Sequence, residues 1–213
     1  GACLSVISQT KADNMFQITP SASAAKVIAN DNCFQVCFTD PNQGTASADY
    51  IASKGLATKV AVIYNSSDAY SSGIYDNFKA EAAAKGLDIV ASEAFTGDSK
   101  QDFSSQLSKI KASGAELIFL PIYYQEASLI LSQAKNAGIT AKFFGCDGLD
   151  GLLNIENFDK SLAENVMLLT PFAANATDET TKKFVTAYNA KYDPSTLNQF
   201  AADAYDAVYI VKA

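Results

Sequence analysis

A chain of 213 residues, nearly half of them hydrophobic, can bury one large core or two small ones. Its net charge of -7 and its lack of a basic cluster argue against nucleic acid, whose phosphates need concentrated Lys and Arg. Histidine is absent, which removes the commonest general base and the commonest metal ligand, and no run approaches the roughly 18 apolar residues of a membrane span.

The amino end, Gly1-Ala2-Cys3-Leu4-Ser5, lacks the basic start and continuous apolar centre of a signal peptide, so any leader of an exported form has been removed. Met15-Phe16-Gln17-Ile18-Thr19 reads as a strand closed by Pro20, and the Ala-rich stretch after Ser21-Ala22-Ser23 reads as a helix reaching about Asn30. Ser21 or Ser23 is then either a simple N-cap or part of a carboxylate site made of hydroxyls and helix-start N–H groups. Residues 33–38 form a second extended piece, and the turn residues Thr39-Asp40-Pro41-Asn42-Gln43-Gly44 mark a linker or domain crossing. A helical period follows over residues 46–56, with Lys54-Gly55 as its stop.

A regular alternation then begins. Strand-like runs start near Val60, Leu87, Leu117, Lys142 and Val166, at intervals of about 24 to 30 residues. Amphipathic helices fill the gaps at 71–85, 101–112 and 125–137, with a short one in 152–158. Near-continuous apolar strands alternating with helices predict a parallel sheet covered on both faces. Lys85-Gly86, Ser113-Gly114 and Ala137-Gly138 supply the helix stops. A helix over about 178–192 is broken by Asp193-Pro194, and a last amphipathic segment spans 197–213. Its tyrosines, with those of the preceding helix (Tyr188, Tyr192, Tyr205, Tyr209), fall at the spacing of a packed face. Cys3, Cys33, Cys37 and Cys146 show no C-x-x-C spacing and read as small buried hydrophobes.

In an open parallel sheet the loops at the carboxyl ends of the strands line the ligand crevice. Those loops carry Ser21 and Ser23, Tyr70, Tyr123 with Tyr124, and Asp147 in Phe143-Phe144-Gly145-Cys146-Asp147-Gly148. Asp147 is either the N-cap of the next helix or an acid that holds a cation or an amine. Hydroxyls and helix-start amides for a carboxylate, one acid for an ammonium and aromatic walls for an apolar group are what a free amino acid requires. An enzyme is not expected: the serines have no base, and Asp147 with Asp150 reads more simply as one ligand group and one cap than as an acid/base pair. Without a G-x-G-x-x-G or a Walker-A motif, no cofactor is expected.

Five blocks in order carry a resemblance. They are Ile18-Thr19-Pro20-Ser21-Ala22-Ser23, Cys37 to Gly44, Phe119 to Ala127 (FLPIYYQEA), Gly145-Cys146-Asp147-Gly148, and Ala204-Tyr205-Asp206-Ala207-Val208. Together they resemble the amino-acid-binding proteins of branched-chain amino-acid ABC transporters, with the type I periplasmic binding fold, over nearly the whole chain. The resemblance implies an α/β protein of two lobes that close about a hinge on an amino acid and deliver it to a permease, outside the cytoplasm and anchored as a lipoprotein. It assigns the α-carboxylate to Ser21 and Ser23 and the α-ammonium to Asp147, and it places Tyr70 and Tyr123 over the ligand. It also implies that residues 42–170 form a complete second lobe and that 1–41 with 171–213 form part of a first. Apolar faces uncovered in that partial lobe predict self-association of this chain or a rearranged packing. The second reading is a ligand-sensing domain of a receptor or regulator on the same fold, distinguished by whatever flanks the chain. A third is a flavodoxin-like enzyme.

Overall fold

The five apolar runs from Val60 onward form one parallel sheet. In this computed structural model, which describes residues 1–213, the sheet lies in the larger of two units, Asp40–Leu169. Its strands are β3 (Lys59–Asn65), β4 (Asp88–Phe95), β5 (Leu117–Leu120), β6 (Lys142–Gly145) and β7 (Val166–Leu168). They are ordered β4-β3-β5-β6-β7 and every pairing is parallel. Helices α2 (Asp40–Ser53), α3 (Ala69–Ala84), α4 (Ser104–Ser113) and α5 (Tyr124–Asn136) cover it.

Side chains alternate between the two faces of a strand. Val60, Val62, Leu117 and Phe119 therefore join Ile51, Ile74 and Phe78 of α2 and α3 in one core. Ala61, Ile63, Ile118 and Leu120 join Phe103, Leu107, Ile110 and Ile130 of the α4/α5 side in the other. Phe78 and Phe119 are wholly buried and stacked with centroids 4.0 Å apart, and burying each contributes roughly 1.5–3 kcal/mol. The helix stops work as the sequence implies: Gly86, Gly114 and Gly138 take φ near +70°, which a side chain resists.

Two expectations for this unit are corrected. The two units divide between Thr39 and Asp40, inside the turn cluster, but Asp40 to Gly44 is the start of α2 and not an open linker, because Pro is pre-set for a first helical turn and an acid there meets the positive end of the helix dipole. No α-helix forms over 152–158. Short 3-10 turns, Asp147–Leu149, Leu152–Asn154 and Lys160–Ala163, replace it, and Gly151 at φ +106° interrupts the run.

The smaller unit comprises Gly1–Thr39 and Thr170–Ala213. It holds α1 (Ala2–Ala12), a two-stranded parallel sheet of β1 (Gln17–Thr19) and β2 (Cys33–Gln35), α6 (Glu179–Asn189) and α7 (Gln199–Lys212). The extended piece expected over 33–38 is paired only to Gln35. The Ala-rich stretch is no α-helix. It is a 3-10 turn, Ala25–Ile28, preceded by Ala24 and with no side-chain cap, so neither Ser21 nor Ser23 caps it. The tyrosines pack in tilted pairs, Tyr188 of α6 with Tyr192 just beyond that helix at 4.9 Å between centroids, and Tyr205 with Tyr209 of α7 at 4.7 Å. They do so at the surface: Tyr192, Tyr205 and Tyr209 are all exposed. Cys33, Cys37 and Cys146 are buried, as small hydrophobes are, whereas Cys3 is partly exposed.

Candidate functional site

In the larger unit the chain enters at β3 in mid-sheet, passes to β4 on one side and then returns to build β5, β6 and β7 on the other. This 2-1-3-4-5 order reverses between β3 and β5, and a crevice opens at the carboxyl ends of strands at such a point. Tyr70 follows β3, Tyr123 follows β5 and Asp147 follows β6.

Local chemistry fixes each position. Asp68 is the N-cap of α3, its carboxylate accepting from Ser71 N at 3.3 Å, while Ser71 Oγ accepts from Asn65 N at 2.8 Å. That pair closes the loop and sets Tyr70 in the first turn of the helix, buried. Tyr123 is the extended N-cap residue of α5, and its side chain stays partly open to solvent. Asp147 does not serve as an N-cap. It is the first residue of a 3-10 turn, with Cys146 in the capping position, and is only 3% exposed.

The three side chains meet. The Tyr70 hydroxyl donates to Asp147 Oδ1 at 2.5 Å and accepts from Gly148 N at 2.9 Å. The rings of Tyr70 and Tyr123 stack with centroids 4.9 Å apart and planes 19° from parallel. Burial pushes the Tyr70 phenol well above its usual range, and the neighbouring Asp147 charge adds to this. Burial also raises the Tyr123 phenol, followed by the charges of Asp68, Asp147, Asp40 and Glu126. Both tyrosines therefore keep their protons at neutral pH and can donate. Burial raises the Cys146 thiol too, so beside the Ser47 hydroxyl (3.7 Å) it is an inert filler.

Sequence reasoning missed two contributors. Gln43 Oε1 accepts from Asp147 N at 3.2 Å, from a wholly buried position in α2. Gly148 supplies the N–H that holds the Tyr70 hydroxyl. The motifs containing both residues are visible in the sequence, but Gln43 reads there as part of a turn. Its helical spacing with Asp40 and Ser47, all buried, was the available signal. In the smaller unit, Thr19 Oγ1 accepts from Ser21 N at 3.4 Å and Ala22 N at 3.1 Å, bending the backbone after β1. Ser23 is buried there and Ser21 is exposed.

A family model described as periplasmic binding protein matches residues 1–213. The chain belongs to the periplasmic binding protein family. One relative, the Leu/Ile/Val-binding protein homolog 3 of Brucella melitensis, is 31% identical over all of this chain and 57% of its own length. A leucine-binding protein from Thermotoga maritima superposes with a TM-score of 0.87 at 27% identity, covering 98% of this chain and 59% of that one. A branched-chain amino acid transporter substrate-binding protein from Streptococcus pneumoniae, solved with isoleucine, gives a TM-score of 0.88 at 28% identity, over 99% of this chain and 60% of that one. The chain thus spans a little over half the length of the proteins it matches. As a periplasmic binding protein it has the type I fold of these neighbours, and its relatives are substrate-binding proteins of transporters rather than enzymes.

Proposed function

We propose that the chain is part of an extracytoplasmic solute-binding protein that takes up a free aliphatic amino acid by hinge closure and delivers it to an ABC permease. The observation that carries this reading is the buried carboxylate of Asp147, held by the Tyr70 hydroxyl beneath the Tyr70/Tyr123 stack at the switch point of the sheet. An acid so placed offers a charge-assisted hydrogen bond to an α-ammonium, about twice as strong as a neutral one, and the exposed Tyr123 ring offers an apolar wall. Ser21 and Ser23 are assigned the α-carboxylate by the resemblance of their motif. Burial of the ligand's aliphatic side chain adds about 25 cal/mol per Å². The Brucella relative is named for leucine, isoleucine and valine, and the streptococcal neighbour holds isoleucine, which favours the same ligand class here. Anchoring as a lipoprotein belongs to this reading.

Isothermal calorimetry of the natural full-length protein against the twenty amino acids tests it. The expected result is binding of leucine, isoleucine or valine ahead of charged residues. Preference for an acidic or basic amino acid, or binding of none, contradicts the assignment.

A further inference from the structure

The resemblance places Tyr70 over the ligand, but its hydroxyl is already engaged. It lies between an N–H from Gly148 at 2.9 Å and the Asp147 carboxylate at 2.5 Å, on a residue only 8% exposed. A phenol whose proton points at a carboxylate, and whose oxygen takes a backbone N–H from the next residue, ties two consecutive residues of the loop after β6 to α3. The same loop is held from the other side by Gln43 of α2 through Asp147 N. Gly148 belongs to the arrangement: a Cβ added there would lie 2.7 Å from the Tyr70 hydroxyl and 2.7 Å from Ile122 O. Its φ is not positive, so space and not backbone conformation calls for glycine.

We propose that Tyr70 is a positioning residue that orients and holds ionised the carboxylate of Asp147, with Gly148 left without a side chain so that the hydroxyl can reach it. This rests on the reading of Asp147 as the ammonium partner, but its geometry stands apart from any ligand. The division of labour follows. Tyr123, stacked on Tyr70 and 43% exposed, is the ring that meets the ligand, while Tyr70 acts from below through Asp147.

Hydrogen bonding to the charged form of an acid favours that form, so losing the Tyr70 hydroxyl makes Asp147 easier to protonate. The Asp147 charge also acts on Cys146 of its own loop and on Tyr123 at the start of α5, and Tyr123 in turn meets the charges of Asp68 at the N-cap of α3, Asp40 of α2 and Glu126 of α5. The three carboxylates Asp40, Asp68 and Glu126, like-charged neighbours in this cluster, oppose a further negative charge there, which the bond donated by the Tyr70 hydroxyl offsets.

The test is carbon-13 NMR titration of the aspartate carboxyls in this chain, with the Asp147 signal assigned by its loss in D147N. Tyr70→Phe keeps the ring and the stack. It should raise the Asp147 midpoint by about one to two pH units, the equivalent of one charge-assisted hydrogen bond. Gly148→Ala, which keeps Tyr70 but pushes its hydroxyl away, should move the midpoint in the same direction. A wild-type midpoint in Y70F overturns the proposal. Leucine calorimetry on the full-length protein separates this failure from that of the underlying reading. If D147N loses leucine while Y70F keeps both wild-type affinity and its acid limb, Tyr70 does not position Asp147 and the role of Asp147 stands. If D147N binds leucine as wild type does, the role of Asp147 falls, and the carboxyl titration still decides whether Tyr70 holds it.

Discussion

Gly44 sits inside α2, where alanine normally exceeds glycine by about 1 kcal/mol. Here the sign should reverse. A Cβ at Gly44 would lie 2.7 Å from the backbone N of Phe78 and closer still to the Ile74 carbonyl, both in α3. Neither is the free end of a side chain, so Gly44→Ala must drive α2 and α3 apart and loosen Ile51, Ile74 and Phe78 in the core between them. Overpacking costs about 1–3 kcal/mol, and with backbone as the obstacle the upper half of that range applies. After the gain in helix propensity, about 1–2 kcal/mol of destabilisation is left. Gly73→Ala is the control: it lies inside α3 and its nearest neighbour would be the Asp40 side chain at 3.5 Å, an ordinary contact. That change should stabilise by about 0.4–1 kcal/mol. Amide hydrogen exchange at β3 and β5 reads the opening of the larger unit directly. G44A should exchange roughly 5- to 30-fold faster than wild type, and G73A several-fold slower. Exchange in G44A as slow as wild type would refute the close-approach argument.

Phe78→Ala removes a wholly buried ring stacked on Phe119, and should cost about 3–5 kcal/mol in urea denaturation; a loss under 1 kcal/mol would mean the core collapses around the gap. The Glu116 carboxyl accepts from Thr58 N at 2.6 Å and Lys59 N at 3.2 Å, and these bonds hold it below its ordinary value of 4.5. Its stabilising effect is therefore full above that value and is lost as pH falls through the lowered folded one. The gap in urea midpoint between wild type and Glu116→Gln should be open at pH 7 and closed in strong acid, and a gap independent of pH would contradict this. Phe16, Phe34, Val208 and Val211 of the smaller unit are exposed apolar side chains, so the 213-residue chain should associate with rising concentration in sedimentation velocity. A monomer at every concentration tested would oppose that expectation.

The parallel sheet is legible in the sequence because β3, β4, β5 and β6 are short, largely apolar runs, each with a glycine-terminated helix before it, two signals that agree. Where the signals conflict, reading fails. Asp40-Pro41-Asn42 suits a turn and a helix start equally well, and only the packing of Gln43, Gly44 and Ser47 against the rest of the unit decides for the helix. Helix α1 has no buried residue, so its sequence carries no strong apolar period to detect. In the site, Tyr70, Tyr123 and Asp147 can be nominated from strand ends alone. The bond that joins Tyr70 to Asp147 spans 77 residues of sequence, and that from Asp147 N to Gln43 spans 104. No local pattern specifies such pairings, which the switch in strand order brings about.

The most direct test of the account is leucine binding by the natural full-length protein with Asp147 replaced by alanine. Removing one partner of a buried charge pair costs about 3–5 kcal/mol, so the dissociation constant should rise at least 100-fold at neutral pH while the fold, read by circular dichroism, stays intact. A folded D147A protein that binds leucine within a few-fold of wild type would show that the ammonium is held elsewhere.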